Sequence, residues 1–304
     1  MSMSVAVTGA TGLVGTALTQ RLASAGHRVV RLVRPATARR PPDEEPIRWD
    51  PDFGTIQASR LDGVDAVVHL AGESVAAGRW TEARKQRIRS SRVRSTAFLA
   101  DTLAQLRHPP RVLVAASAVG YYGDRADQML TEDSAAGTGF LADVCRDWEA
   151  AAEPATRRRM RVVQLRLGMV LSPAGGALAA LLRPFRLGLG GRVGSGAQWM
   201  SWISVDDLCG AILHALATTA LAGPVNAVAP EPVPNREFAR TLGRVLRRPA
   251  FLPLPAFLAR LLLGQMADEL LLASARVVPA RLQATGFTFG DPALEGALRR
   301  LLGR

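Results

Sequence analysis

The chain is poor in the residues that most often declare a protein's chemistry. It has two cysteines, Cys145 and Cys209, and four scattered histidines, His27, His69, His108 and His214. Two distant cysteines cannot build a disulfide framework, and no spacing matches a zinc or redox pair, so no metal is expected. Tyrosine occurs only at 121 and 122, and lysine only at 85. Aromatic residues make up 5% of the chain, too few for the stacking platforms of single-strand nucleic-acid binders. A bilayer span needs roughly 20 predominantly apolar residues. The most apolar late stretch, 255–275, carries Arg260, Asp268 and Glu269, too many charges for such a span, and predicts a buried or amphipathic helix. The first residues run straight into a strand pattern without a basic region ahead of an apolar one. With the cysteine usage, this predicts a cytoplasmic protein.

Arginine is in excess. Of 38 basic residues 37 are arginine, against 26 acidic ones, for a formal charge of +12. The arginines are dispersed, with local knots such as Arg157, Arg158, Arg159 and Arg161. Dispersed charge reads as a solvated surface. It argues against nucleic acid and favours an anionic small ligand. With 304 residues, 48% of them hydrophobic, the chain is long enough for about two domains. The expected partner is a small molecule, and the expected assembly a monomer or homodimer.

Apolar runs at Val5–Thr8, Val29–Val33, Asp65–Leu70, Arg111–Ala116 and Val162–Leu165 read as strands. Helical patterns over about 13–25, 80–106 and 139–153 separate them, with a charged, proline-rich loop at 39–46. Strands alternating with helices of this length imply crossover units and an α/β fold with a doubly wound parallel sheet. From Leu171 the pattern changes. A glycine-rich loop covers 188–196, a strand is expected at 199–203, and Asp206 is expected to cap a helix through Thr219. A return strand is expected near 225, and proline-punctuated helices follow from 230, with Asn235 as an N-cap. The predicted division is a Rossmann-like domain over 1–170 plus about 203–228. A smaller, mainly helical substrate lobe takes 171–202 plus 229–304.

The strongest local signal is Thr8-Gly-Ala-Thr-Gly-Leu-Val-Gly15, set between the first strand and the first helix. Gly9 serves the tight turn, Gly12 lets a pyrophosphate approach the backbone, and Gly15 lets helix and sheet pack closely. The anion would rest on N–H groups at the helix start. Gly9, Thr11, Gly12, Leu13 and Val14 are therefore the expected dinucleotide contacts. The end of the second strand reads Val30-Arg-Leu-Val-Arg34, with no carboxylate to take a ribose 2′-hydroxyl. Arg34 is positioned for a 2′-phosphate instead, which predicts NADP(H).

At this point the chain resembles the extended short-chain dehydrogenase/reductase superfamily of NAD(P)-dependent epimerases and dehydratases. The resemblance rests on TGATGLVG (8–15), DAVVHLAG (65–72), the strand-end Ser117, WISVDDL (202–208) and VVPARLQATGFTF (277–289). More narrowly it looks like the YfcH-type "epimerase family" branch, through LAGES (70–74), GRW (78–80), SRVRST (91–96), SAVGYYGD (117–124), GFLADVCRDWE (139–149) and GSGAQWMSWISVDDL (194–208). It implies a cofactor path along Leu70, Ala71 and Gly72, and nicotinamide near Gly168 and Met169. It also implies a Tyr-x-x-x-Lys pair, whose lysine lowers the tyrosine pKa. That pair is missing: the matching positions are Leu141 and Cys145. Three readings follow for an NADP(H)-dependent oxidoreductase or epimerase with an atypical site. Ser117 with Tyr121, preferred over Tyr122, forms a substitute donor set. Alternatively the acid comes from the small lobe or from Glu73. Finally, the protein binds NADP(H) without turnover, as a sensor or assembly factor. Trp199 and Trp202 are read equally as core or as walls of a substrate cleft.

Overall fold

The computed structural model describes residues 2–34 and 46–304. The charged loop expected over 39–46 falls outside those residues, apart from Pro46. The chain opens with strand β1 (Ser4–Thr8), helix α1 (Leu13–Ser24) and β2 (Arg28–Val33). Next come β3 (Ile47–Asp50), β4 (Thr55–Ile56), β5 (Ala66–His69), α2 (Glu82–Gln105) and β6 (Val112–Ala118). β7 (Met129–Leu130), α3 (Phe140–Ala150), α4 (Glu153–Arg157) and β8 (Arg161–Leu167) follow. After β9 (Met169–Leu171), α5 (Gly176–Arg186), β10 (Trp199–Met200) and β11 (Trp202–Ser204), α6 spans Val205–Ala217. β12 (Gly223–Ala227), β13 (Val233–Pro234), α7 (Asn235–Leu246) and α8 (Ala256–Leu263) come next. The chain closes with β14 (Arg276–Val277), α9 (Ala280–Ala284) and α10 (Leu294–Leu302).

Eight strands form one sheet in the order β12-β8-β6-β5-β1-β2-β3-β4, parallel except for the β3–β4 hairpin. The expected doubly wound α/β fold is therefore correct. Its strands are apolar on both faces because both faces are covered. Val5 and Val7 of β1 join one core with Leu18 and Leu22 of α1 and Leu208 and Ile212 of α6. Ala6, between them, joins the opposite core with Leu99 and Leu103 of α2. Each fully buried leucine contributes about 1.5–3 kcal/mol, so this double burial fixes the strand register. A separate core gathers Leu178 and Phe185 of α5, Phe238 and Leu242 of α7, and Leu298 of α10. Leu282 of α9, with Phe287 and Phe289, packs on the main-sheet core rather than on this one.

Local expectations differ at three places. Ser204, not Asp206, caps α6: its Oγ accepts from the Asp207 N–H at 3.1 Å. Pro234 precedes α7, and Asn235 spends its amide oxygen on the Val193 N–H at 2.7 Å. The apolar stretch 255–275 forms the short α8, in which Ala259 alone is fully buried while Phe257, Leu261 and Leu262 are exposed, followed by a π-helical turn at Ala267–Leu272. Among the described residues no helix is long and apolar enough to cross a membrane.

Candidate functional site

The strand order reverses between β1 and β5: the chain moves from β1 outward through β2 and β3, then returns to β5 on the other side. In open α/β sheets ligands bind at such a switch point, beyond the carboxyl ends of the strands. The Gly9–Gly15 turn and the Leu70–Gly72 loop both lie there. A polar hollow of about 380 Å³ lined by Ser4, Asp62 and Gly63 sits at the opposite, amino-terminal edge, where that rule places no ligand.

The two loops are fitted to each other. Gly9 has φ of +66°, and a Cβ on it would lie 2.8 Å from the Leu70 carbonyl. A Cβ on Gly15 would lie 2.1 Å from the Gly9 oxygen, so both positions exclude a side chain. Thr8 ties the loops polarly: its Oγ1 accepts from the N–H groups of Leu70 (3.1 Å) and Ala71 (3.3 Å). Its own proton must then go to His69 Nδ1 at 2.7 Å, which leaves His69 neutral with its proton on Nε2, facing Ser95 Oγ at 3.4 Å. Gly12, at the N-cap of α1, offers no side chain to the first-turn N–H groups, and that turn holds no acidic residue. The helix start is thus left for an outside anion. Thr11 and Gly12 are exposed, while Leu13 and Val14 are half-buried. Arg34 is half-buried just past the end of β2. Gly168 follows β8 at the same sheet edge, with no room for a Cβ against the Ser201 oxygen (2.7 Å), and Met169 donates its N–H to that oxygen.

His69 gives a stability prediction. Burial pushes its pKa down to about 4. As pH falls from about 6.5 towards 4, the unfolded chain takes up a proton that the folded one refuses. Stability is therefore full above the unfolded value and declines across that window, by about 3 kcal/mol for this group. Urea unfolding at several pH values is expected to show the decline, and His69→Gln to flatten it. An unchanged slope in the variant would remove His69 as the cause.

The structure brings Ser117 and Tyr121 together only indirectly. Ser117 is buried, and its Oγ donates to Glu149 Oε1 at 2.7 Å. Arg166 stands opposite Ser117 on β8 and grips both Glu149 oxygens at 2.8 Å. Its guanidinium carbon lies 3.5 Å from the centre of the Tyr121 ring, and its Nη1 donates to the Tyr122 hydroxyl at 2.9 Å. That hydroxyl donates in turn to Asn226 Oδ1 at 2.7 Å. Burial disfavours the Arg166 charge, but the Glu149 carboxylate outweighs it and holds the guanidinium above its ordinary pKa. Burial raises the Tyr122 pKa despite Arg166, so this phenol is not an activated acid. Leu141 donates its N–H to Glu269, and Cys145 is buried with its thiol pushed up to about 12 by burial, hence protonated and unreactive. Glu73 turns its carboxylate to Arg84 and Arg87. Trp202 is core, whereas Trp199 is half-buried under Arg276, 4.4 Å from its ring.

Sequence reading missed Arg166 and Arg92. The signal for Arg166 was an arginine between Leu165 and Leu167 on a strand, where a buried charge must be paired. SRVRST proves to be a bonding stripe on α2. Ser91 Oγ accepts from the Glu73 N–H at 3.1 Å, and Thr96 Oγ1 accepts from Trp148 Nε1 at 2.9 Å. In WISVDDL, Asp207 accepts from the N–H groups of Gly290 and Asp291, pinning the C-terminal segment.

Fold and site together define a dinucleotide-binding α/β protein of the short-chain dehydrogenase/reductase kind. Residues 5–227 match the model of the NAD dependent epimerase/dehydratase family, and the chain belongs to that family. Residues 254–301 match a domain of unknown function, DUF1731. The chain is 45% identical to epimerase family protein Mb2239 of Mycobacterium bovis over 97% of its length and 96% of that protein. It is 39% identical to human epimerase family protein SDR39U1, over 99% of this chain and all of that one. The crystal structure of human SDR39U1 (isoform 2) with NADPH superposes at a TM-score of 0.89, with 36% identity, covering 99% and 100% of the two chains. The structure of a Corynebacterium glutamicum nucleoside-diphosphate sugar epimerase superposes at 0.81, with 39% identity, over all of this chain and 59% of that longer one.

Proposed function

We propose that the protein binds NADP(H) and acts as a cytoplasmic oxidoreductase or epimerase on a small organic substrate. What carries the reading is the switch point itself: two loops locked by Thr8 and Gly9, beside a helix start that no side chain caps. Backbone N–H groups of Leu13 and Val14 would take the pyrophosphate, Arg34 the 2′-phosphate, and Leu70–Gly72 and Gly168–Met169 would flank the remainder. The bound dinucleotide would supply a hydride acceptor or donor. The chain's own task is to orient it, keep water out and handle one proton, with Tyr121 as the half-buried phenol held against the Arg166 charge. NADPH is expected to bind at least ten-fold more tightly than NADH, and Arg34→Asp to remove most of that preference, as loss of a charge-assisted contact implies. Fluorescence titration with both dinucleotides is the test. Equal curves for the wild type would overturn the assignment of Arg34.

A second reading, binding without turnover, is favoured by one observation. The Ser117 hydroxyl is already committed to Glu149, and no Tyr–Lys pair replaces it. Under that reading the cofactor would bind as above, but no substrate would draw a hydride from it.

A further inference from the structure

The site has no lysine, yet a cation stands at its edge. Arg92 lies on α2 between the Gly72 loop and α3. A side chain on Gly72 would begin 3.6 Å from the Arg92 guanidinium carbon and 3.7 Å from Nη2. On the other side the guanidinium lies 5.1 Å from the Trp148 ring centre, and Trp148 is itself fixed by Thr96, one turn along from Arg92. Nη1 donates to the Ile88 carbonyl at 3.1 Å and reaches Ser91 Oγ at 3.5 Å. No carboxylate ion-pairs with Arg92 among the described residues. Of its charged or titratable neighbours, Glu73 is turned to Arg84 and Arg87, and Cys145 is a protonated thiol.

A guanidinium sunk beside protein without a counter-ion is costly to keep. Burial indeed weighs against its charge. Its remaining planar donors suit an oxygen-rich ligand. The pyrophosphate is already provided for at the start of α1, on the far side of β1. Arg92 instead lies between Gly72, in the loop after β5, and Trp148, on the helix that follows β6.

We propose that Arg92 grips the nicotinamide half of the dinucleotide, donating to its ribose hydroxyls from α2, because α3 carries no lysine to do so. The proposal rests on the NADP(H) reading above. It makes Arg92 a binding and positioning residue supplied by α2, at the place where Leu141 and Cys145 leave α3 without a polar head.

Two probes separate the halves of the cofactor: NADPH, and 2′,5′-ADP, which lacks the nicotinamide ribose. Both are titrated into the full chain as wild type, Arg92→Gln and Arg92→Lys. Arg92→Gln is expected to weaken NADPH about ten-fold and to leave 2′,5′-ADP within about two-fold, with Arg92→Lys recovering part of the loss. An unchanged NADPH affinity in Arg92→Gln overturns the proposal. Equal losses for both probes also overturn it, because they mark a role in holding the fold. A wild type that binds neither probe sinks the NADP(H) reading itself, and this proposal with it.

Discussion

Arg166→Leu is expected to lower the stability of the protein by about 3–5 kcal/mol, the usual consequence of removing one partner of a buried ion pair. The side chains of Arg166 and Glu149 are 3% and 12% exposed. Without Arg166, the Glu149 carboxylate keeps a single donor, Ser117, in a setting too dry to solvate its charge. Tyr122 loses the N–H that its oxygen accepts, and Tyr121 loses the cation against its ring. The gap left beneath the two tyrosines adds a packing loss. Urea unfolding measures the change. The paired variant Glu149→Leu with Arg166→Leu is expected to recover much of it, because the uncompensated charge is then gone as well. A loss below about 1 kcal/mol in Arg166→Leu would show that the network does not hold the sheet edge.

Gly15→Ala is expected to reduce NADPH affinity roughly 100-fold or more, since an error of about 1 Å in a positioning element carries losses of that order. The added carbon would stand 2.1 Å from the Gly9 oxygen and 2.8 Å from the Ala10 Cα. Backbone cannot yield there without moving α1 away from β1, so the N–H groups at the helix start would be displaced from the anion. Overpacking of this kind also costs about 1–3 kcal/mol of stability. Gly26→Ala is the control. Gly26 has φ of +77° and open space around it, so it should lose about 1–2 kcal/mol for the left-handed backbone alone and bind NADPH normally. Equal binding losses in the two variants would mean that the Gly15 effect is only one of stability.

Where a residue's fate depends on near neighbours along the chain, the sequence was readable. Val5–Thr8 and Ala66–His69 are strands because a run of apolar residues can be buried on both faces at once. Gly12 and Gly15 mark a turn because the group that crowds both, the Gly9 oxygen, lies a few residues back, and Gly9 because its own backbone has φ of +66°. The short β3 was missed although it alternates: Ile47 and Trp49 point inward, Arg48 and Asp50 outward. Four residues next to a proline-rich stretch carry too little periodicity to stand out. Asp206 and Asn235 were assigned as caps on residue type, but Ser204 was better placed for the first and a distant Val193 claimed the second.

By itself, then, the sequence determined the alternation of strands and helices, the dinucleotide turn and the lack of a tyrosine–lysine pair. These are local facts, set by burial period and backbone freedom. The tertiary structure decided what the charges do. Ser117 faces Arg166 only because β6 and β8 are neighbours in one register. Glu149 reaches both only because α3 lies across those strands, and Arg92 meets the Gly72 loop only because α2 packs beneath it. A charge in a half-dry interior is governed by whichever group lies within a few ångströms, and that neighbour is set by strand order and helix packing, which no local pattern encodes.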